Sequence, residues 1–234
     1  LSYNAANFLL EMPSHNYIIV HDSENLNTSF VHPLKNRFYK NLNGKLNFCN
    51  YNFQEITYFS AQDSLFDYVL INGKENIVFI PSSDQAFVSS VLSKLNAYTK
   101  NYEIKVFGMP RWRRFDNIEP DIFHNLEVHL FSNYNLNYEN QNVKDFVKDF
   151  RLLFKSEPNL YSFQAYDIFK FFVQSYNDYG KTMPYCINKV ESDLLVSDFY
   201  FKHLKNQQGL SNISIFLLFF NHEYDVVHLK TYHD

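Results

Sequence analysis

Short apolar runs, polar turns and amphipathic stretches alternate along the first half of the chain. From Asn16 onward, each β-branched run is followed by a turn and then by apolar residues at three- and four-residue spacing, which is typical of βαβ units. The predicted strands of this region are residues 17–21, 45–50, 77–80 and 104–107. The first, third and fourth are almost entirely apolar, which predicts parallel strands that are covered on both faces.

Amphipathic spacing predicts three helices in the middle of the chain. One spans residues 83–98, between the third and fourth predicted strands. The second spans residues 143–154, and the third follows it over residues 162–179, with Gly180 as a left-handed cap. The side chains that the third helix is predicted to bury are Tyr166, Phe169, Val173 and Tyr176.

The later part of the chain also contains strand-like patterns. A fifth strand is predicted over residues 127–132, and strand-like runs cover residues 194–201, 213–220 and 224–229. Residues 221–223 join the last two runs as a predicted hairpin turn. The predicted fold class is therefore α/β, with a parallel sheet, flanking helices and a C-terminal antiparallel hairpin.

The amino-acid composition of the chain limits the kinds of partner that it can bind. The chain of 234 residues contains 25 Phe and 18 Tyr, which are enough large apolar side chains for a packed interior. Its net charge of -4 excludes the broad basic face that nucleic acid binding requires. The longest apolar run, residues 213–220, is far shorter than the ~20 residues of a membrane-spanning helix. Cys49 and Cys186 lie in no spacing that is typical of a metal or redox motif.

The sequence lacks the common enzyme motifs. The five glycines, at positions 44, 73, 108, 180 and 209, are too far apart for a Walker loop or a G-x-G-x-x-G turn. There is no G-x-S-x-G nucleophile elbow, and the nine histidines form no H-E-x-x-H pair. The sequence therefore predicts no catalytic residue, no bound metal and no cofactor.

Several short motifs occur in the order that one known family shows. They are the lead-in at residues 7–14, the strand end Ile18-Ile19-Val20-His21-Asp22, the strand at residues 77–81, the strand end Val106-Phe107-Gly108 and the helix residues Ala165-Tyr166-Asp167. In this order and spacing, the sequence resembles type I periplasmic binding proteins, most closely the branch that binds amino acids for ABC transporters. The resemblance implies Rossmann-like lobes, a small ligand, no catalysis, a membrane permease as partner and a location in the periplasm or cell envelope.

The resemblance also implies a division of the chain. Residues 1–126 together with residues 187–234 correspond to the second lobe of that family, and residues 127–186 correspond to the segment that returns to the first lobe. The opening part of the first lobe has no counterpart, which fits either a truncated chain or a reduced form with one lobe. Without that part, the apolar sides of the helices at residues 143–176 would be uncovered, and a homodimer is one arrangement that would cover them.

A ligand site is predicted beyond the carboxyl ends of the parallel strands, where loops and helix N-termini offer free N–H groups. The candidate ligand-binding residues are Asp22, Ser23, Ser82, Ser83, Asp84, Arg111, Trp112 and Arg113. The forked arginine side chains match the two oxygens of a carboxylate or phosphate group. Alternatively, the arginines stack on aromatic rings or pair with Asp116 and Glu119. Ser83 or Asp84 also has the alternative role of capping the helix that follows.

The family resemblance does not identify the ligand. Its amino-acid binders place an acidic side chain near residues 109–111 for the ammonium group of the ligand, and this sequence has Arg111 there. Two functions remain. One is a solute-binding or sensory module for an anionic or amino-acid-like ligand, and the other is a protein-interaction or cell-wall-associated module that keeps the fold without a ligand. The two functions make different predictions for the surface beside residues 111–114, because only the solute-binding module needs a pocket there.

Overall fold

The computed structural model of the protein describes residues 16–22, 36, 52–58, 64–203 and 209–233. The strands are β1 (Asn16–His21), β2 (Asn52–Thr57), β3 (Glu75–Phe79), β4 (Glu103–Gly108), β5 (His129–Ser132), β6 (Phe201–His203), β7 (Leu210–Asn212), β8 (Ile215–Phe220) and β9 (Val226–Tyr232). The α-helices are α1 (Leu65–Val69), α2 (Gln85–Tyr98), α3 (Pro120–Asn125), α4 (Gln141–Phe154), α5 (Leu160–Tyr179) and α6 (Met183–Cys186). Seven strands form one sheet in the order β2-β1-β3-β4-β5-β8-β9, and β6 pairs with β7 in a separate sheet.

The chain divides into two compact units. The first comprises Leu1–Phe131 and Leu217–Leu229, and the second comprises Ser132–Phe216 and Lys230–Asp234. Residues 187–216 fall in the second unit, whereas the division that the family resemblance implies groups them with residues 1–126. How these units correspond to the lobes of the family stays a prediction.

The first unit is built on parallel pairing. β1 pairs with β2 and β3, β3 pairs with β4, and β4 pairs with β5, all in parallel. Every residue of β1 is buried, as a strand that is covered on both faces must be. The predicted strands at residues 77–80 and 104–107 correspond to β3 and β4, so the predicted α/β fold with a parallel sheet is confirmed.

The predicted C-terminal hairpin is also confirmed. β8 and β9 are neighbours in the sheet, and the side chain of Asn221 shapes the turn between them. Its Oδ1 accepts hydrogen bonds from the backbone N–H groups of Glu223 (3.0 Å) and Asp225 (2.8 Å). A carboxamide that accepts from the backbone two and four residues ahead closes the turn locally.

Two other strand predictions have different outcomes. The predicted strand at residues 45–50 lies outside the described residues, and β2, which starts at Asn52, has no counterpart among the predicted strands. The predicted strand at residues 194–201 is wrong. Only β6, which begins at Phe201, has strand conformation there, and the residues before it form an irregular loop.

The helix α2 packs into the core of the first unit. Its fully buried side chains recur at three- and four-residue spacing and are Val88, Val91, Leu92 and Leu95. Asp84 caps the helix, because its Oδ1 accepts a hydrogen bond of 2.7 Å from the Phe87 N–H. Such a cap typically contributes about 1 kcal/mol. The predicted helix at residues 83–98 is therefore confirmed, with Asp84 as its cap.

Two buried asparagines tie strand starts together at the amino-terminal edge of the sheet. Asn16 Nδ2 donates to Asn76 Oδ1 (2.9 Å) and to the backbone oxygen of Val69 (2.6 Å). Asn76 Nδ2 also donates to the backbone oxygen of Glu103 (3.0 Å), and Asn76 Oδ1 accepts from the Ile71 N–H (2.8 Å). Because β1, β3 and β4 begin close to these residues, the two amides hold three strands in register while satisfying each other.

A row of aromatic rings crosses the sheet, one from each of four neighbouring strands. Phe79 stacks on Phe107 with 5.1 Å between ring centroids, and Phe107 stacks on His129 at 4.5 Å. The ring of His129 lies 4.8 Å from that of Phe219. His129 is 3% exposed, and its Nδ1–H donates to Glu127 O at 2.6 Å, since a carbonyl oxygen can only accept.

A buried carboxylate organises the second unit. Asp167 is fully buried on α5, and its oxygens accept hydrogen bonds from the backbone N–H groups of Leu195 (2.7 Å), Val196 (2.9 Å) and Ser197 (2.9 Å). These N–H groups point at one side chain rather than at a neighbouring strand. For this reason residues 194–200 form a loop instead of the predicted strand.

The helix α5 buries a different face from the predicted one. The helix itself is confirmed. Gly180 at its end has a positive φ of 53°, but its ψ of -129° lies outside the left-handed helical region, so the predicted left-handed cap is wrong. The side chains predicted to be buried are exposed, by 41% for Tyr166, 70% for Phe169, 41% for Val173 and 61% for Tyr176. Asp167 explains the difference, because its three hydrogen bonds turn its own side of the helix toward the loop. The side chains that α5 buries are Phe163, Asp167, Phe171 and Ser175.

The titration of His129 makes the stability of the first unit sensitive to acid. Burial, together with the positive charge of Lys105, lowers the pKa of His129 from 6.5 to about 4. The folded protein therefore favours the neutral ring of His129. The resulting contribution to the free energy of unfolding is complete above pH 6.5 and is lost as the pH falls from 6.5 to 4. The loss should reach about 3 kcal/mol. Urea unfolding near pH 7.5 and near pH 4.5 measures it.

His129→Phe tests whether His129 causes this loss, because the variant keeps a ring in the aromatic row and removes the titrating group. We expect it to lose clearly less stability on acidification than the native protein, whereas His203→Gln, at an exposed position of β6, should keep the native loss. Equal losses in the native protein and in His129→Phe would contradict this assignment.

Asp167→Asn tests the anchor of the second unit. An amide keeps one acceptor oxygen but turns N–H groups toward the N–H groups of the loop, so at least one hydrogen bond is lost. We expect the free energy of unfolding to fall by roughly 2–4 kcal/mol and the amides of residues 195–197 to exchange faster with deuterium. Asp178→Asn, at an exposed position of the same helix, should change neither. An Asp167→Asn protein as stable as the native one would rule the anchor out.

Candidate functional site

The carboxyl ends of β1, β3 and β4 lie at one edge of the sheet, because these strands are parallel neighbours. Ile19 pairs with Phe79, and Phe79 pairs with Phe107, so the loops that follow the three strands start side by side. The strand order β2-β1-β3-β4-β5 reverses between β1 and β3. In open α/β sheets, such a switch point leaves a crevice in which ligands bind.

The end of β1 lies beside this switch point. Asp22 follows the strand directly and is half-buried, and its backbone oxygen lies 3.2 Å from Nδ1 of His21. The other ring nitrogen of His21 lies 3.6 Å from Glu55 Oε1 on β2. Ser23, the next candidate residue, lies outside the described residues.

The loop after β3 is shaped by its own polar side chains. Ser82 is 8% exposed, and its Oγ accepts a hydrogen bond of 3.1 Å from the Asp84 N–H. Ser83 and Asp84 are exposed, with Asp84 acting as the cap of α2. The loop therefore presents Ser83 and the N-terminus of a 14-residue helix at the switch point. The N–H groups and the dipole of such a helix end favour an anion.

The loop after β4 separates its tryptophan from its arginines. Residues Pro110–Arg114 form a 3-10 turn in which Trp112 is 1% exposed. The Trp112 Nε1–H donates a hydrogen bond of 2.7 Å to the backbone oxygen of Ser82. Arg111 is exposed and Arg113 is half-buried. Trp112 thus ties this loop to the loop after β3 from the inside, and the guanidinium groups are left nearer the surface.

A glycine makes this position of Trp112 attainable. Three ring carbons of Trp112 lie against Gly108, at distances that a Cβ atom at residue 108 would not permit. A larger residue would therefore displace the ring. The end of β4 needs a glycine because the Trp112 ring packs against it. No local sequence pattern indicates this requirement.

The structure brings the candidate residues together to different degrees. Ser82 and Trp112 are in direct contact, and Asp22, Ser83, Asp84 and the arginines follow strands that end at the same edge. Within the described part of the chain, Arg111 forms no ion pair with Asp116 or Glu119. The packing of Trp112 gives it a positioning role that its sequence context does not reveal. The assignment of these residues to a ligand stays a prediction.

A second polar region lies at the opposite, amino-terminal edge of the sheet. A cavity of about 440 Å³ has Glu75, Lys105, Glu127 and His222 among its lining residues. Lys105 forms ion pairs with Glu75 and with Glu127, the latter at 3.5 Å. His222 Nε2 lies 3.2 Å from Glu127 Oε1. No sequence motif indicates this cluster, because its members come from separate segments of the chain.

The charges of this cavity pair with one another. Burial by itself lowers the pKa of Lys105, but its hydrogen bonds to Glu75 and Glu127 and their negative charges outweigh burial and raise the pKa above its ordinary value of 10.5. A lysine that is held charged between two glutamates stabilises the start of its strand. We therefore assign the cavity a structural role.

One cluster in the second unit has the residue types of a hydrolase triad. Ser214 and His233 both contact Oδ2 of Asp198, and the distance from His233 Nε2 is 2.6 Å. In a catalytic triad, the histidine contacts the serine and the carboxylate orients the histidine. The carboxylate occupies the central position in this cluster, so His233 does not receive the proton of Ser214. The geometry does not activate a nucleophile.

The described residues offer neither a metal site nor a membrane-spanning helix. Among the residues that the structure describes, no three or more His, Cys, Asp or Glu side chains are grouped so that they could hold a metal ion. Within the same residues, every helix is too short or too polar to cross a bilayer.

Comparisons with known proteins give a likeness in structure only. No protein-family model and no curated protein matches the sequence. A branched-chain amino acid ABC transporter protein from Rhodospirillum rubrum matches 97% of this chain and 64% of its own, with a TM-score of 0.59 at 12% identity. A substrate-binding protein from Desulfitobacterium hafniense, solved with Leu, covers the same shares with a TM-score of 0.57 at 13% identity.

A third solved structure is the leucine-, isoleucine-, valine-, threonine- and alanine-binding protein from Brucella ovis. It matches 99% of this chain and 60% of its own, with a TM-score of 0.54 at 10% identity. The chain therefore spans less than two thirds of the length of these structures. At such identities the likeness concerns the fold, and it confirms the resemblance that the order of motifs indicates: in fold, this chain is similar to the type I substrate-binding proteins of ABC transporters.

Proposed function

We propose that this chain is a solute-binding module of the bacterial cell envelope, which holds a small ligand with an anionic group at the carboxyl-terminal edge of its parallel sheet. The observation that carries the proposal is the pair of loops that meet at this edge, joined by the hydrogen bond from Trp112 to Ser82. The loops present arginines and a helix N-terminus beside a switch point of the strand order. Solute binding without catalysis is the function that this arrangement supports best.

Each candidate residue has a distinct role in this proposal. Arg111 and Arg113 take the anionic group of the ligand, because a guanidinium group offers two parallel N–H donors to two oxygens. Ser83 and the first turn of α2 add neutral donors and a favourable dipole. Asp22 and Asp84 supply negative charge for an ammonium group, which extends the class of ligand from simple organic anions to amino acids.

The fold likeness supports the same class of ligand. The Desulfitobacterium hafniense protein was solved with Leu, which carries both a carboxylate and an ammonium group. A role beside a membrane permease, in the periplasm or cell envelope, follows from the same likeness and belongs to this proposal. A binder of this kind needs no cofactor, because it changes only its own conformation on binding.

The alternative function is a protein-interaction or cell-wall-associated module that has kept the fold and lost its ligand. One observation favours it. Large apolar side chains of α4 and α5 are exposed, and Leu153 (75%), Phe154 (63%) and Phe169 (70%) are among them. Exposed apolar patches of this kind typically contact another protein surface. The two functions can be distinguished, because only a solute-binding module would be stabilised by a ligand that binds through Arg111 and Arg113.

Thermal unfolding against a panel of amino acids, short peptides, nucleosides, sugars and organic anions tests the proposal. A ligand at about one hundred times its Kd adds about 2.7 kcal/mol, and this shifts the Tm of a chain of this size by roughly 5–10 °C. We expect the shift from a compound with a carboxylate group. Arg111→Gln combined with Arg113→Gln should weaken binding by about 10- to 100-fold, because two charged hydrogen-bonding groups are lost.

Arg151→Gln is the matched control, since Arg151 bonds Glu157 on the surface of the second unit and should leave ligand binding unchanged. No shift with any compound of the panel would refute solute binding by this chain and leave the interaction module. A shift that survives in the double arginine variant would place the ligand elsewhere.

Gly108→Ala tests how Trp112 positions the arginine loop. The added methyl group displaces the indole, which breaks the bond to Ser82 and frees the loop, at a cost of roughly 1–3 kcal/mol in the free energy of unfolding. Trp112 is the single tryptophan of the chain, so its fluorescence should shift to longer wavelength as the ring becomes exposed. Ser83→Ala, on the neighbouring loop, should leave the emission unchanged. A Gly108→Ala protein with native emission would show that the ring does not depend on this glycine.

A further inference from the structure

The turn between α1 and β3 contains an asparagine that is followed directly by a glycine, Asn72-Gly73. Both residues are exposed. Gly73 has a φ of 72°, a conformation that glycine adopts without steric cost. A Cβ atom added at Gly73 would meet no atom within 4 Å, so the surroundings of the peptide bond between the two residues are open.

The polar groups of this turn are bound only to water. In the described part of the chain, neither the side-chain amide of Asn72 nor the backbone N–H of Gly73 takes part in a hydrogen bond. An exposed amide and a neighbouring N–H that no hydrogen bond fixes can approach each other as the peptide bond between them rotates. The turn therefore presents an electrophilic carbon, Cγ of Asn72, beside a potential nucleophile, the nitrogen of Gly73.

The structure distinguishes Asn72 from the other asparagines that it describes. Each of the others is followed by a residue with a Cβ atom, which crowds the backbone nitrogen that would have to attack. Asn16 and Asn76 are also fully buried, and their amides hydrogen-bond to each other and to the backbone. Exposure, a following glycine and the absence of hydrogen bonds thus coincide at Asn72 within the described residues.

These features favour an intramolecular reaction in which water is the co-reactant. The nitrogen of Gly73 loses its proton to water and bonds to Cγ of Asn72. The bond from Cγ to Nδ2 breaks, and ammonia leaves with a proton from water. One water molecule then opens the cyclic imide. Opening at Cγ gives aspartate, and opening at the backbone carbonyl gives isoaspartate, in which the main chain runs through Cβ and Cγ. No electrons are gained or lost.

Asn76 connects this turn to the buried edge of the sheet. Its Oδ1 accepts a hydrogen bond from the Ile71 N–H (2.8 Å), and its Nδ2 donates to the backbone oxygens of Ile71 (3.1 Å) and Lys74 (3.0 Å). Isoaspartate would add one main-chain atom between Ile71 and Lys74, which changes the positions of the groups that Asn76 binds. Because Asn76 is fully buried, a hydrogen bond that is lost there leaves a polar group without a partner.

We propose that Asn72 is a site of spontaneous deamidation, and that its conversion to isoaspartate weakens the hydrogen bonds by which Asn76 holds the start of β3. Asparagine is among the residues that limit the chemical lifetime of proteins at high temperature. The inference is independent of the ligand, because the turn lies at the amino-terminal edge of the sheet and the candidate site lies at the carboxyl-terminal edge.

Peptide mapping by mass spectrometry tests the reaction. The purified chain is incubated at mildly acidic and at mildly alkaline pH and then digested with trypsin. We expect the peptide that contains Asn72 to gain one mass unit and to separate into two products, at a rate that rises in proportion to hydroxide concentration. Asn72→Gln is the matched control and should keep its mass, because its longer side chain would have to close a larger ring. The other Asn-Gly pair, Asn43-Gly44, lies on a separate tryptic peptide.

Thermal unfolding tests the consequence for the sheet. The Tm of the incubated native chain should fall by roughly 2–10 °C as isoaspartate accumulates, since a buried hydrogen bond is weakened. Asn72→Gln should keep its Tm through the same incubation, and because it retains Asn43-Gly44, it also corrects for any reaction at that pair. Asn72→Asp should have a native Tm, because it introduces the charge of deamidation without the added main-chain atom.

Three outcomes would overturn the proposal. One is an Asn72 peptide that keeps its mass in the folded chain while the same peptide converts in urea, since the folded turn would then protect the residue. Another is conversion at Asn101, which is exposed and is followed by Tyr102, as fast as at Asn72. The third is a native chain that accumulates isoaspartate at residue 72 and keeps its Tm. All measurements are made without ligand, so they do not depend on whether the chain binds a solute.

Discussion

The burial of β1 on both faces is the constraint on which the rest of the first unit depends. A strand whose six residues are all buried has no water for its backbone groups, so β2 and β3 must satisfy them from either side. Parallel pairing then places the carboxyl ends of neighbouring strands at one edge. The reversal of strand order at β1 and β3 follows from the same arrangement, and it places the candidate site at that edge.

Polar side chains that hydrogen-bond to several backbone groups fix the positions of strands and loops that apolar packing alone does not specify. Asn76 fixes the start of its strand against two others, and Asp167 fixes a whole loop against α5. Buried groups of this kind are costly when they are unsatisfied, so each of them permits only one arrangement of the backbone around it. The same logic holds at the candidate site, where one indole N–H joins two loops.

The two units differ in how their long helices bury apolar side chains. The first has a sheet with a core that packs against it, and its long helix α2 buries one clean apolar face. The second has two long helices whose apolar residues are divided between a buried side and an exposed side. The apolar pattern of α5 does not by itself specify which of its sides is buried, and the hydrogen bonds of Asp167 decide this.

Local sequence patterns were sufficient to predict the class of fold, the parallel strands β1, β3 and β4, the helices α2, α4 and α5, and the final hairpin. These features rest on local periodicity and turn chemistry, which short segments carry on their own. The same patterns also placed the candidate residues at strand ends, because the carboxyl ends of parallel strands must share an edge. Three features could be seen only in the folded protein: Trp112 points inward, Gly108 permits this, and Asp167 replaces a predicted strand with a loop. Those outcomes depend on contacts between residues that are far apart in the chain or on space that a neighbouring ring requires, and no local pattern of hydrophobic and polar residues encodes such contacts.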